Sequence, residues 1–501
     1  MPKRAVPTSR PEILLDARLP MPLYKQLYER FRRVILTGQL ERGTRLPSTR
    51  QLASELGISR TTVVLAYEHL LLEGYLQSRV GQGTVVAHDL PVPSLLDQPE
   101  LTELTEPPED APQPSVLRVA SRVHSLQEAL SSVHFEGSPR GTYRGGEPAV
   151  EQFPYEVWAR LIARRARQSL REVAHYQSPA GYFPLREAIA THISITRGVR
   201  CTPEQVILTA GSQGAIDLAT RTLLNPGEAA WLENPGYFGA RGALLAAGAH
   251  LIPIPVNEQG LDVEYGKQRC PHARLIWTTP SHQFPTGVTM SLPRRMNLLE
   301  WASHADAWIL EDDYDSDYRW SGRPLEALQG LDDAGKVLYI GTFSKVLFPA
   351  LRLGYLVAPT KLLDSLLATR YFLDLHLPLL EQMALCDFLR EGHYARYLRQ
   401  MLHYYKQRRD LLHTALHAHL RGLLDVHVPE AGLRLVGWLP PDKDDRRAAD
   451  LAATVGVEVA PLSRYSLSPL PRGGLLLSFA NSNQEELLLG VKRLAAVLKQ
   501  L

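Results

Sequence analysis

The sequence predicts an α/β chain with a small helical unit at its front, and three features of its 501 residues predict it. Residues 1–88 hold three apolar-periodic segments punctuated by glycine. Residues 89–117 are proline-rich and acidic, with no periodicity. From residue 118 onward, helical patterns alternate with short apolar runs. That alternation is the signature of a mainly parallel, doubly wound sheet, here followed by a smaller C-terminal α/β domain.

In the first unit, Leu23, Leu27, Phe31, Val34 and Ile35 fall on one face of a helix closed by Gly38. A second, shorter helix is expected from Ser48 to Leu56, ended by Gly57. Ser59 can cap a third that runs to Gly74. Two helices joined by a tight glycine turn, then two short strands hinged at Gly81-Gln-Gly83, make a winged helix-turn-helix. Such a fold directs the first turn of its third helix, Ser59, Arg60, Thr61 and Thr62, at base edges and phosphates. Arg45, Ser48 and Arg50 around the second helix, with Gly83 in the wing, are candidate backbone contacts. Charge agrees: residues 1–88 carry 13 Lys+Arg against 7 Asp+Glu, although the whole chain is only +2. A basic unit of this kind seeks a polyanion.

Residues 89–117 carry seven carboxylates and no basic residue. They cannot bury enough apolar surface to order themselves and are expected to act as a linker. Cys201, Cys270 and Cys386 are odd in number and lack close spacing, so neither a disulfide framework nor a metal site is expected. The N-terminus has no apolar signal region, and no run reaches membrane-helix length, which together suggest a cytoplasmic protein.

The chemistry concentrates in 341–355, G-T-F-S-K-V-L-F-P-A-L-R-L-G-Y. Val337 to Ile340 reads as a strand, which places Lys345 on the loop at a strand end, where ligands of α/β sheets gather. A Schiff-base lysine needs desolvation or a cationic neighbour. Phe343, Phe348 and Pro349 could supply a dry wall, Arg352 the charge, and Thr342 and Ser344 hydroxyls for a phosphate. Residues 206–215, V-I-L-T-A-G-S-Q-G-A, form a strand, a small turn and a helix start. The free N–H groups of Gly211, Ser212 and Gln213 there can cradle an anion. Residues 307–315, A-W-I-L-E-D-D-Y-D, are an apolar strand ending in carboxylates. Residues i and i+2 share a face of a strand, which puts Asp312 rather than Asp313 beside Tyr314.

The S-K-x-x-x-P-x-x-R-x-G-Y box resembles the cofactor-lysine segment of fold-type I, pyridoxal-phosphate (PLP) aminotransferases. The resemblance implies that Lys345 is the internal-aldimine lysine and that Thr342, Ser344 and Arg352 touch the cofactor phosphate. It implies an acid partner, Asp312, at the pyridine nitrogen, a Tyr314 donor at the phenolic oxygen and an aromatic ring, Tyr237 of 233–237 (E-N-P-G-Y), over the pyridine face. Residues 176–186, Y-Q-S-P-A-G-Y-F-P-L-R, resemble the segment whose tyrosine reaches a phosphate across a dimer interface. Tyr176 in that role requires a dimer.

Two departures stand out. Phe284 in F-P-T-G occupies the place of an asparagine that bonds the phenolic oxygen, and residues 474–480, G-L-L-L-S-F-A, have leucines where many aminotransferases carry a carboxylate-binding arginine. Arg241 and Arg434 are candidate replacements for binding an effector carboxylate.

Residues 43–50, 56–63 and 81–84 resemble a GntR-type winged helix, and its fusion to an aminotransferase-like body resembles the MocR/GabR group of bacterial transcription regulators. The implied function is a PLP-dependent, DNA-binding regulator that senses PLP, an amine or an amino acid through external aldimine formation at Lys345. The implied assembly is a homodimer that can be head-to-tail and domain-swapped. The alternative is an active aminotransferase carrying a DNA-binding head.

Overall fold

The computed structural model describes residues 15–16, 21–79, 83–90, 119–131, 143, 147–320 and 325–501. Gly81 and Gln82 of the expected wing turn, and nearly all of the proline-rich stretch, lie outside these residues. The chain divides into two compact units, Met1–Val116 and Leu117–Leu501.

In the first unit, α1 spans Leu23–Leu36, α2 Thr49–Leu56 and α3 Arg60–Leu72. The strands β1 (Leu76–Arg79) and β2 (Gly83–Val86) pair antiparallel, Leu76 opposite Val86. Ser48 and Ser59 cap α2 and α3 by accepting from the backbone N–H of Gln51 and Thr62, and Gly57 ends α2 in the left-handed region at φ 67°. Leu27, Phe31, Val63 and Leu70 are buried between the helices. Each contributes roughly 1.5–3 kcal/mol of burial.

The second unit is built on an eight-stranded sheet ordered β3-β10-β9-β8-β7-β4-β5-β6. Its strands are β3 (Val206–Thr209), β4 (Ala229–Asn234), β5 (His250–Asn257), β6 (Gly260–Leu261), β7 (Leu275–Thr278), β8 (Trp308–Asp313), β9 (Val337–Thr342) and β10 (Gly354–Val357). Neighbours from β9 through β8, β7 and β4 to β5 run parallel, whereas β10 is antiparallel to both β3 and β9. Every residue of β8 and β9 is buried, as expected of strands covered on both faces. The carboxyl ends of β4, β7, β8 and β9 therefore open together at one edge of the sheet, where crossover loops leave room for a ligand.

The smaller C-terminal sheet is antiparallel, ordered β11-β12-β14-β13, with β11 Asp425–His427, β12 Arg434–Trp438, β13 Ala460–Pro461 and β14 Gly474–Ser478. Helices Asp445–Thr454 and Gln484–Leu498 pack together beside it, and the 27-residue helix His393–His419 packs on the latter. Asn234 at the end of β4 bolts this layer to the large sheet. Its Oδ1 accepts from Leu467 N at 2.7 Å and Ser466 Oγ at 3.0 Å, while its Nδ2 donates to Ser468 Oγ at 2.7 Å. No helix among the described residues is long and apolar enough to cross a membrane.

Candidate functional site

Lys345 sits three residues past β9, in the turn before the 3-10 segment Pro349–Leu351. It lines a cleft of about 760 Å³ together with His282, Tyr314, Asp315 and Arg434. Burial, and then the charge of Arg434, lower its pKa to about 8; Asp315, Glu147 and Asp312 pull the other way. A lysine poised there is partly neutral near neutral pH and able to act as a nucleophile.

The end of β8 delivers four carboxylates whose fates differ. Asp313 is satisfied: it accepts from Arg197 Nε at 2.7 Å and from the Tyr339 hydroxyl at 2.7 Å. Burial alone would raise its pKa, but Arg197 and these hydrogen bonds hold it below the usual value. Glu311 accepts from the backbone N–H groups of Leu328 and Gln329 and is pushed up to about 7, chiefly by burial. Asp315 pairs with His282, its two oxygens 2.9 and 3.0 Å from Nδ1. Asp312 is the odd one, because its buried Oδ1 has no hydrogen-bond partner among the described residues. Burial first, then the charges of Asp313, Glu233 and Asp315, raise Asp312 to about 8, and the nearby Trp277 indole offsets this only in part, without completing a hydrogen bond. A buried carboxylate left in this state is suited to a cationic N–H partner from a ligand.

Aromatic rings wall the same region. Phe284 meets Tyr237, Tyr314 and Tyr465 edge-on, with centroids 5.8, 6.1 and 5.1 Å away. The Arg434 guanidinium lies 5.1 Å over the Phe284 ring. Across from them, helix Gly211–Leu223 begins directly after β3, and its first turn carries Gly211, Ser212 and Gln213. Gly211 is needed for close approach as well as for its φ of 72°, since a Cβ there would stand 3.3 Å from the Arg352 guanidinium. Arg352 donates to Ala210 O at 2.8 Å, which fixes it over this turn. The Thr342 hydroxyl accepts from Ser344 N at 3.2 Å, and the buried Ser344 Oγ has no partner among the described residues. Gln213 is partly committed, its amide donating to Gly239 O at 2.9 Å.

Several sequence expectations are corrected here. The positive neighbour that depresses Lys345 is Arg434, whereas Arg352 is drawn to the Gly211 turn. Phe348 packs edge-on against Phe153, 4.8 Å between centroids, so it joins the core rather than walling the cleft. Of the two candidate arginines, Arg241 does not line the cleft; it lies on helix Phe238–Ala246, its buried Nε is unbonded, and its nearest charge influence is Glu128. Arg434 enters from β12, opposite Ser478 of the leucine-bearing strand β14. Tyr176 is 86% exposed and touches His376, leaving its ring on the surface of this chain. Sequence reasoning gave no role to His282, Asp315 or Tyr465. Asp315 closes the 307–315 segment and His282 stands two residues before F-P-T-G, but their pairing is a tertiary event that spans 33 residues.

In the first unit, Arg45, Ser48, Arg50, Ser59, Arg60 and Thr61 are exposed. The Arg45 guanidinium lies along the wing strand, 3.2 Å from where a Cβ on Gly83 would stand. Ser59 and Thr62 share a hydroxyl contact at 2.8 Å, so Thr62 takes part in the cap of α3 while Thr61 remains open.

Residues 142–494 match the aminotransferase class I and II family, and residues 23–86 match the bacterial regulatory proteins of the gntR family. The probable rhizopine catabolism regulatory protein MocR of Rhizobium meliloti is 38% identical over 489 residues, 96% of this chain and 95% of that protein. The pyridoxine biosynthesis transcriptional regulator PdxR of Corynebacterium glutamicum is 30% identical over 95% of this chain and 96% of its own length. Among solved structures, the kynurenine aminotransferase of Pyrococcus horikoshii, in complex with PMP, superposes with a TM-score of 0.68 at 27% identity, covering 77% of this chain and 95% of that one. With a gntR-type winged helix in front, a matching class I and II body behind and a regulator alike along nearly its whole length, the chain belongs to the MocR-type transcriptional regulators, in which a DNA-binding head is fused to an aminotransferase domain.

Proposed function

We propose that this regulator binds PLP at Lys345 and converts the arrival of an amine or amino acid into a change in operator affinity. The observation that carries the reading is the unpartnered, buried Oδ1 of Asp312 in the same site as a lysine lowered to about 8. Those two residues fit the two reactive ends of PLP, a pyridinium nitrogen and an aldehyde. The phosphate has a matching cradle in the first-turn N–H groups of Gly211, Ser212 and Gln213, the Thr342 hydroxyl, the unbonded Ser344 Oγ and Arg352. Tyr237 would cover the ring face, and exposed Tyr176 would serve the site of a second copy in a homodimer.

Bound PLP supplies an aldehyde that condenses reversibly with primary amines, joined to a ring that withdraws electrons. The rest falls to this chain. Asp312 would hold a proton at the ring nitrogen, Lys345 would hold the aldehyde carbon through its amine, and the aromatic wall of Tyr237, Phe284, Tyr314 and Tyr465 would exclude water. Arg434 sits beside Lys345 and can receive a carboxylate on the incoming molecule. A sensor needs only this exchange, in a cytoplasm where both ligands and DNA are present. The presence of Arg434 also favours a second reading, an active aminotransferase with a DNA-binding head.

Borohydride reduction of PLP-loaded protein, followed by digestion and mass spectrometry, tests the assignment. The pyridoxyl mass belongs on Lys345 and is absent from Lys345→Ala; its appearance on another lysine overturns the reading.

A further inference from the structure

His282, Asp315 and Tyr314 form one cluster in the cleft. The Nδ1 of His282 lies 2.9 and 3.0 Å from the two oxygens of Asp315 and 3.0 Å from the Tyr314 hydroxyl. Its Nε2 is buried and has no partner among the described residues. His282 and Asp315 are 7% and 5% exposed, and the backbone closes tightly on them. At Gly432, φ 85°, a Cβ would stand 2.1 Å from His282 Cε1 and 2.9 Å from Asp315 Oδ2. Only glycine fits there, so the pair is held in one place.

The proton assignment follows from donor inventory. An ionised carboxylate only accepts, so Nδ1 facing both oxygens of Asp315 must carry the proton. An Nδ1 that donates cannot also accept from the phenol 3.0 Å away. Tyr314 retains its proton, because burial and then Asp315 raise its pKa well above the ordinary value. That proton must point away from the imidazole.

We infer that the His282–Asp315 pair is a positioning device that turns the Tyr314 hydroxyl into an obligate donor toward the cleft beside Lys345. The inference rests on the PLP reading and deepens it. With Phe284 offering no polar atom, Tyr314 is the donor for the cofactor's phenolic oxygen, and His282 fixes the direction in which it donates. Asp312 and Glu233 also face this phenol, and Arg434 opposes their charge.

The test uses full-length protein loaded with PLP and follows the pH midpoint of the visible cofactor band. Withdrawing a hydrogen bond from the phenolic oxygen makes the neighbouring site more basic, so Tyr314→Phe should raise the midpoint by about one unit, roughly tenfold in proton affinity. His282→Leu should raise it similarly, and the double variant should add nothing further. His282→Asn, whose amide can donate from near the Nδ1 position, should restore the wild-type midpoint. Asp315→Asn should behave like His282→Leu, because without the carboxylate nothing requires a proton on Nδ1, and its lone pair is then free to accept from the phenol. PLP affinity and the melting temperature of each apoprotein serve as independent readouts of binding and folding. A His282→Leu midpoint equal to wild type, or effects of His282→Leu and Tyr314→Phe that add, would overturn the inference. A wild-type protein with no Lys345-dependent visible band would overturn the cofactor reading, and this inference with it.

Discussion

Replacing Arg434 with glutamine should slow the capture of aldehydes by Lys345. Lys345 titrates at about 8 instead of 10.5, so at pH 7.5 about a quarter of it is neutral, against about one part in a thousand for an ordinary lysine. The gain is roughly 200-fold in nucleophilic amine. Burial is the largest cause and Arg434 the second, so removing that charge returns part of the shift. A return of about one unit would reduce the neutral fraction at pH 7.5 roughly eightfold. Apoprotein mixed briefly with PLP across neutral and alkaline pH, then reduced with borohydride, gives the rate from the label on Lys345. Wild type should show a midpoint near 8 and Arg434→Gln a higher one, while Arg241→Gln, whose side chain does not line the cleft, should match wild type. A wild-type midpoint near that of a free lysine, or one indifferent to Arg434, would refute the electrostatic account of this site.

Asp312→Asn should weaken PLP binding, and it carries a stability signature of its own. Its folded pKa, about 8, exceeds the ordinary 3.8, so ionising the buried carboxylate costs stability progressively as pH rises from about 4 to 8. The melting temperature of apo Asp312→Asn should therefore equal wild type near pH 4 and exceed it near pH 8; the opposite order would contradict the burial argument. On DNA, Arg45→Ala, Arg50→Ala and Arg60→Ala should each weaken binding to all sequences and lower the salt slope by about one unit, measured by anisotropy against salt. Thr61→Ala should instead alter base preference, read by competition between operator variants. Binding of operator by the 118–501 fragment as tightly as by the full chain would contradict the placement of the DNA contacts.

What the sequence made legible was local. Ser48, Ser59 and Gly57 announce helix ends through their own backbone chemistry, and they stand at those ends. The strand-then-loop pattern before Lys345 likewise set that lysine at the end of β9. The difference between Asp312 and Asp313 could be read in part, because alternation along a strand separates neighbours. The reason Asp313 is unsuitable for a ligand, its pairing with Arg197 from a helix 116 residues earlier, could not. Arg241 and Arg434 looked alike in sequence; only the pairing of β12 with β14 carries Arg434 to the cleft. The role of His282 was hidden for the same reason, since its meaning depends on Asp315 and on a Gly432 backbone that arrives from the C-terminal domain.

The central claim is that amine chemistry at Lys345 and DNA binding at the winged helix are thermodynamically linked. Operator affinity of full-length, PLP-loaded protein, measured with and without a saturating primary amine or amino acid, tests it directly. The expected result is a fivefold to hundredfold change, a coupling of about 1–3 kcal/mol, with DNA altering amine affinity by the same factor and Lys345→Ala abolishing both. An operator affinity unmoved by any amine that shifts the cofactor spectrum, together with multiple transamination turnovers at rates near ~10 s⁻¹, would contradict it and establish the enzyme in place of the sensor.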